Sequence, residues 1–186
     1  RALLGILVLA SVGWARHVVP LPKNVYDGSD DVSTKIVNGV DAFPGQFPFQ
    51  ASIQFNTNFN HVCGCSLIRS RWLITAAHCI NYAPSTYRVV LGLHDLSNYN
   101  NGGDPEAYNV NTIILHPDYS EDPNIGFPND VALIQLSEDA NLNNAFIETI
   151  ELAPDDGHKY IGDTCYISGW GRISGPGPLA SILQYA

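Results

Sequence analysis

Leu73-Ile74-Thr75-Ala76-Ala77-His78-Cys79 is an apolar run that ends abruptly on an imidazole and a thiol. Its first residues are short, apolar and in part β-branched, which predicts a strand over Trp72–Ala76. The same texture recurs on both sides of it. Runs at Gln50–Phe55, Val62–Ile68, Tyr87–Leu93, Val110–Leu115, Val131–Leu136 and Cys165–Ser168 carry strand-forming residues. Turn-rich pieces such as Asn100-Asn101-Gly102-Gly103-Asp104-Pro105 separate them. No window keeps a 3.6-residue period over the length of a stable helix. The reading is therefore an all-β barrel or sandwich.

Further out, the texture changes before Ile36. Arg1 precedes an apolar run, Ala2 to Val12, that leads into Gly13-Trp14-Ala15. Small residues at the third and first positions before Arg16 fit a signal-peptidase site, and the run is too short to span a bilayer. Residues 1–15 are thus expected to be a signal peptide whose start is incomplete, since the 186-residue sequence has no Met. A polar stretch without period follows from Arg16 to Lys35, with Pro20, Pro22 and Asp27-Gly28-Ser29-Asp30-Asp31, as in an exposed leader. The Lys35–Ile36 bond, after a basic residue, is expected to lie exposed between that leader and the strand-rich part. With 18 Asp and Glu against 9 Lys and Arg, scattered and without a basic cluster, a nucleic-acid partner is disfavoured. Secretion places the 4 cysteines in an oxidising compartment.

Four pieces carry chemistry or mark it: Lys35-Ile36-Val37-Asn38-Gly39, the run ending in His78-Cys79, Asn129-Asp130 opening Val131–Leu136, and Cys165-Tyr166-Ile167-Ser168-Gly169-Trp170-Gly171. An imidazole titrates near neutrality and serves as a general base. A carboxylate opening a buried strand needs a hydrogen-bonding partner, and His78 is a suitable one. In this order and spacing the pieces resemble the trypsin and chymotrypsin family of serine endopeptidases, from Ile36 to Ala186; Cys63-Gly64-Cys65-Ser66-Leu67-Ile68 and Leu183-Gln184-Tyr185 fit it as well.

The resemblance implies two antiparallel β-barrels with the site in the cleft between them, the first over roughly 46–140 and the start of the second over roughly 141–186. The roles it implies are those worked out for that family: His78 as general base and Asp130 orienting it. No Gly-Asp-Ser-Gly-Gly or Gly-x-Ser-x-Gly occurs, so the nucleophilic serine is expected outside this sequence. The chain by itself is then expected to be inactive, with 36–186 a peptidase domain incomplete at its carboxyl end and 16–35 an activation propeptide. Cutting at Lys35–Ile36 would free an amino terminus that inserts as a buried ion pair. Protein or peptide substrates, a trypsin-like activator and protein protease inhibitors follow as partners, with no cofactor, and no membrane once the signal is removed. The alternative is a non-catalytic homologue acting as a secreted binding module, which intact His78, Asp130 and Lys35–Ile36 oppose.

The resemblance also implies a Cys63–Cys79 disulfide, and a Cys165 partner outside the sequence. Cys65 departs from the family's usual Gly. It is either a buried free thiol or, facing the same side of the strand as Cys63, a competitor for Cys79. Asp95, Asp104 and Glu106 offer hard oxygen ligands, but Leu93 stands where calcium-binding relatives carry glutamate, so a solvated acidic loop is expected. His61, His94, His116 and His158 show no metal spacing and are read as structural or surface groups.

Overall fold

The computed structural model describes residues 39–122, 126–173 and 177–186. The expected signal peptide, the propeptide and the Lys35–Ile36 bond lie outside them.

Strands form where β-branched and apolar residues recur between turns: β1 (Val40–Asp41), β2 (Gln50–Phe55), β3 (His61–Arg69), β4 (Trp72–Thr75), β5 (Tyr87–Leu91), β6 (Glu106–Leu115), β7 (Ala132–Leu136), β8 (Ser168–Gly169) and β9 (Gln184–Tyr185). Six of them close a barrel in the order β2-β3-β4-β7-β6-β5, every neighbouring pair antiparallel. Closure requires the strands to bend. Register shifts between Ile53 and Gln54, Leu67 and Arg69, and Val110 and Thr112 supply extra residues at such bends. The barrel interior is filled by Ala51, Ile53, Leu67, Leu73, Val89, Leu91, Ile134 and Leu136, all essentially without solvent contact.

The remaining strands form a sheet in the order β1-β9-β8. Val40 pairs with Tyr185 and Ser168 with the same Tyr185, so the first described strand joins residues late in the chain. A second cluster, Ala42, Val90, Leu93, Trp170, Leu183 and Tyr185, seals this sheet onto the barrel. Strand β2 is buried on both faces: Gln50, Ser52 and Gln54 are buried as Ala51 and Ile53 are, with Ser168 of the second sheet against Gln50, and Arg88 and Tyr99 against Gln54. The three polar side chains are satisfied internally. Ser168 donates to Gln50 Oε1 at 2.8 Å, Gln54 Nε2 donates to Ser52 Oγ at 3.2 Å, and Arg88 and Tyr99 donate to Gln54 Oε1.

Three expectations shift. The strand expected at Cys165–Ser168 is Ser168–Gly169, paired with β9 and closed at Ile167 by a reciprocal backbone pair with Ala186. Strand β6 starts at Glu106, directly after Pro105, since Glu106 and Ala107 pair with Leu91 and Val90. The acidic loop is not solvated at Asp95, which is buried and saturated by hydrogen bonds from Ser97, Asn98 and Asn101.

Candidate active site

Strand β4 ends at Thr75, whose hydroxyl donates to the Gly64 carbonyl at 2.8 Å and pins the strand end to β3. The chain then turns through a short 3-10 segment, Ala77–Cys79, closed by Cys79 N–H to Ala76 O and Ile80 N–H to Ala77 O. Ala77 and Cys79 are drawn into the core, which leaves the intervening His78 facing out. Cys79 is disulfide-bonded to Cys63 on β3, with 6.1 Å between their Cα atoms. Cross-linking across a sequence separation of 16 residues contributes about 3 kcal/mol by restricting the unfolded chain. Cys65 is a free thiol, buried in the same core, and burial pushes its pKa well up, so it stays protonated.

Asp130 arrives from the other direction. Strands β4 and β7 are register partners, with Thr75 opposite Ala132, so the residues just beyond β4 and just before β7 meet at one end of the barrel. Asn129 adopts φ 57, a left-handed conformation that Asn tolerates, and its side-chain amide donates to the Asp118 carbonyl at 3.0 Å. That bend is where the incoming loop joins the strand.

The Asp130 carboxylate then takes two bonds from one residue: the His78 backbone N–H at 2.8 Å and its ring Nδ1 at 2.6 Å. A carboxylate only accepts, so Nδ1 carries a proton, and in the neutral imidazole that tautomer leaves the lone pair on Nε2. Burial pushes the Asp130 pKa up, but hydrogen bonds from the His78 ring and backbone, its charge, and the Ala77 N–H outweigh that and hold the carboxyl below its ordinary value. The two side chains are 47% and 27% exposed, so the pair lies at the surface and Nε2 is reachable.

Asn81 Nδ2 donates to the His78 carbonyl at 3.2 Å, and the Tyr87 hydroxyl accepts the N–H groups of Asn81 and Tyr82. These supports of the turn carry no local sequence signal. Among the described residues the ring's hydrogen-bond partner is Asp130, and the proton-less disulfide sulfur of Cys79 lies 3.6 Å from Nε2; no serine bonds the ring. Cys63, His78 and Cys79 are also the one trio of metal-donor atoms within 4.8 Å of one another there, but the disulfide occupies both sulfurs. His61 bonds Ser52 Oγ through Nδ1 at 2.8 Å and packs edge-on to Trp170. No local pattern in the sequence marks that pair. No helix among the described residues is long and apolar enough to cross a membrane.

The chain is similar to known proteins in sequence and fold. The Trypsin family model matches residues 36–186. Chymotrypsin-C of Rattus norvegicus is 37% identical, covering 98% of this chain and 65% of that protein. Chymotrypsin-like elastase family member 1 of Macaca fascicularis is 36% identical over 84% of this chain and 58% of its own length. Among solved structures, neuropsin, a serine protease expressed in the limbic system of mouse brain, superposes with a TM-score of 0.64 at 28% identity, covering 81% of this chain and 63% of that one. The chain therefore spans about 58–65% of the length of these curated relatives. Matched by the family model over most of its length, the chain belongs to the trypsin family of serine proteases.

Proposed function

We propose that this chain is part of the zymogen of a secreted serine endopeptidase, which hydrolyses internal peptide bonds through an acyl-enzyme. The observation that carries the reading is the pair of hydrogen bonds from His78 to Asp130, which orients the ring so that the neutral imidazole presents the Nε2 lone pair away from the carboxylate. Nε2 takes the proton of a serine hydroxyl supplied from outside this sequence as that oxygen attacks the substrate carbonyl. The resulting imidazolium gives the proton to the leaving amine, and Asp130 stabilises the cation between the two transfers. Water then gives a proton to the same imidazole as it attacks the acyl carbonyl, and that proton passes to the serine oxygen as the acyl group leaves. Residues 1–15 serve as signal peptide and 16–35 as propeptide, so the substrates are extracellular proteins or peptides. Its partners are a trypsin-like activator and protein inhibitors. The chymotrypsin- and elastase-like relatives support this class without fixing the side chain preferred at the cut.

The test uses the complete activated protein. His78→Ala is expected to remove nearly all peptide turnover, and Asp130→Asn to lower kcat by about 10⁴, the size known for that exchange within this family. Activity within tenfold of the unsubstituted enzyme in either variant would show the pair misassigned. A complete protein that never turns over substrate is instead a binding module.

A further inference from the structure

The loop from Asp95 to Asp104 is fastened by one buried carboxylate. Asp95 is 5% exposed and accepts from the Ser97 N–H at 2.8 Å, the Ser97 hydroxyl at 2.7 Å, the Asn98 N–H at 3.3 Å and the Asn101 side-chain amide at 2.8 Å. The first three donors are its immediate neighbours; Asn101 alone ties the far side of the loop. The same stretch holds the barrel to the second sheet. Asp95 bridges Ile182, Leu96 N–H donates to Ser181 O at 2.8 Å, and Leu183 N–H donates to His94 O at 2.9 Å.

The residue after Asn101 is constrained as well. Gly102 has φ +72, and a Cβ there would come within 2.7 Å of Pro44 and 3.1 Å of His94, so only glycine fits. The fold thus asks for an amide donor at 101 and a glycine at 102. Together they make an Asn-Gly dipeptide with an exposed Asn101, in which no side chain shields the following backbone nitrogen. We propose that Asn101 is a site of spontaneous deamidation, and that its conversion unfastens this loop from Asp95.

The chemistry needs only base and water. The Gly102 backbone nitrogen, losing its proton, attacks Asn101 Cγ; the new N–C bond closes a succinimide, and the Cγ–Nδ2 bond breaks to release ammonia. Water then opens the ring at either carbonyl, giving aspartate or isoaspartate. The donor that faced Asp95 at 2.8 Å is replaced by a carboxylate, so a buried charge loses a partner and gains a like charge. Before reaction the bond to Asp95 restrains the amide, and the step runs from molecules in which the loop has opened locally.

The test is to age the purified protein at mildly alkaline pH, alongside a synthetic peptide covering Tyr99–Asp104, with peptide mapping and thermal unfolding read in parallel. The other Asn-Gly pair, Asn38-Gly39, is mapped separately. The expected result is isoaspartate and aspartate at Asn101, forming roughly tenfold more slowly than in the free peptide. The unfolding temperature of the converted fraction falls by about 3 °C. Fresh Asn101→Asp protein shows the same fall, and Asn101→Ser, which keeps a short donor but no amide, does not drift on ageing. An intact Asn101 after the free peptide has fully converted overturns the proposal, and so does conversion that leaves unfolding unchanged. Both of these outcomes are measured on the unsubstituted protein, whether or not Asn101→Asp folds.

Discussion

His61 and Asp130 are both ionisable and partly covered, and burial acts on them with different results. Among the described residues no charge compensates His61, whose pKa is lowered by burial to about 4 from 6.5. The unfolded chain therefore takes up its proton first, and stability drains away as pH falls from 6.5 toward 4. His61→Gln keeps a partner for Ser52 and is expected to flatten the stability–pH curve in that window, as read by urea unfolding at a series of pH values. An unchanged slope would mean that His61 is more solvated than the fold implies. Asp130, held below the ordinary carboxylate range by His78, stabilises the fold at pH above that range and loses the contribution as acid titrates it. Asp130→Asn is expected to remove this acid-side dependence. Residues His78 and Asp130 were legible because a short motif and a strand entrance flank them. His61 was not, since its partners Ser52 and Trp170 are far apart in sequence and meet only through the fold.

Among elements, β4 and β7 do the positioning, and their alternation states which side chains matter. In β7, Ala132, Ile134 and Leu136 are buried while Leu133 and Gln135 are half-covered. Ile134→Ala is expected to cost about 2–5 kcal/mol in urea unfolding, and Leu133→Ala clearly less. Equal losses would contradict the inward register. The barrel strands could be read from runs of β-branched and aromatic residues between turn residues. The two-residue strand β1 could not, and β8 was read too early in the chain, because a pair of residues has no period and pairs only through distant contacts. The polar residues of β2 also hid the burial of its second face, since Gln50, Ser52 and Gln54 look like a solvated side until Ser168, His61, Arg88 and Tyr99 close over them.

At the scale of the whole molecule, the apolar surface is uneven. Ile161 is 87% exposed, Leu152 and Ile167 are widely exposed, and among the described residues β1 and β8 are the outer strands of their sheet. Such edges and side chains favour association, so the 186-residue chain alone is expected to self-associate in sedimentation velocity. A monomer at high concentration would count against that. The complete protein, as proposed, is a protease zymogen switched on by cutting Lys35–Ile36, after which His78 and Asp130 act on a serine. The decisive experiment treats the complete secreted protein with a trypsin-like protease, then follows peptide turnover, labelling by a serine-directed phosphonate and the new amino terminus. No turnover is expected before the cut, and turnover with stoichiometric labelling after it. The active species should begin Ile-Val-Asn-Gly, and Lys35→Gln should remain silent. Full activity without the cut, or an active species that begins elsewhere, would contradict the zymogen reading.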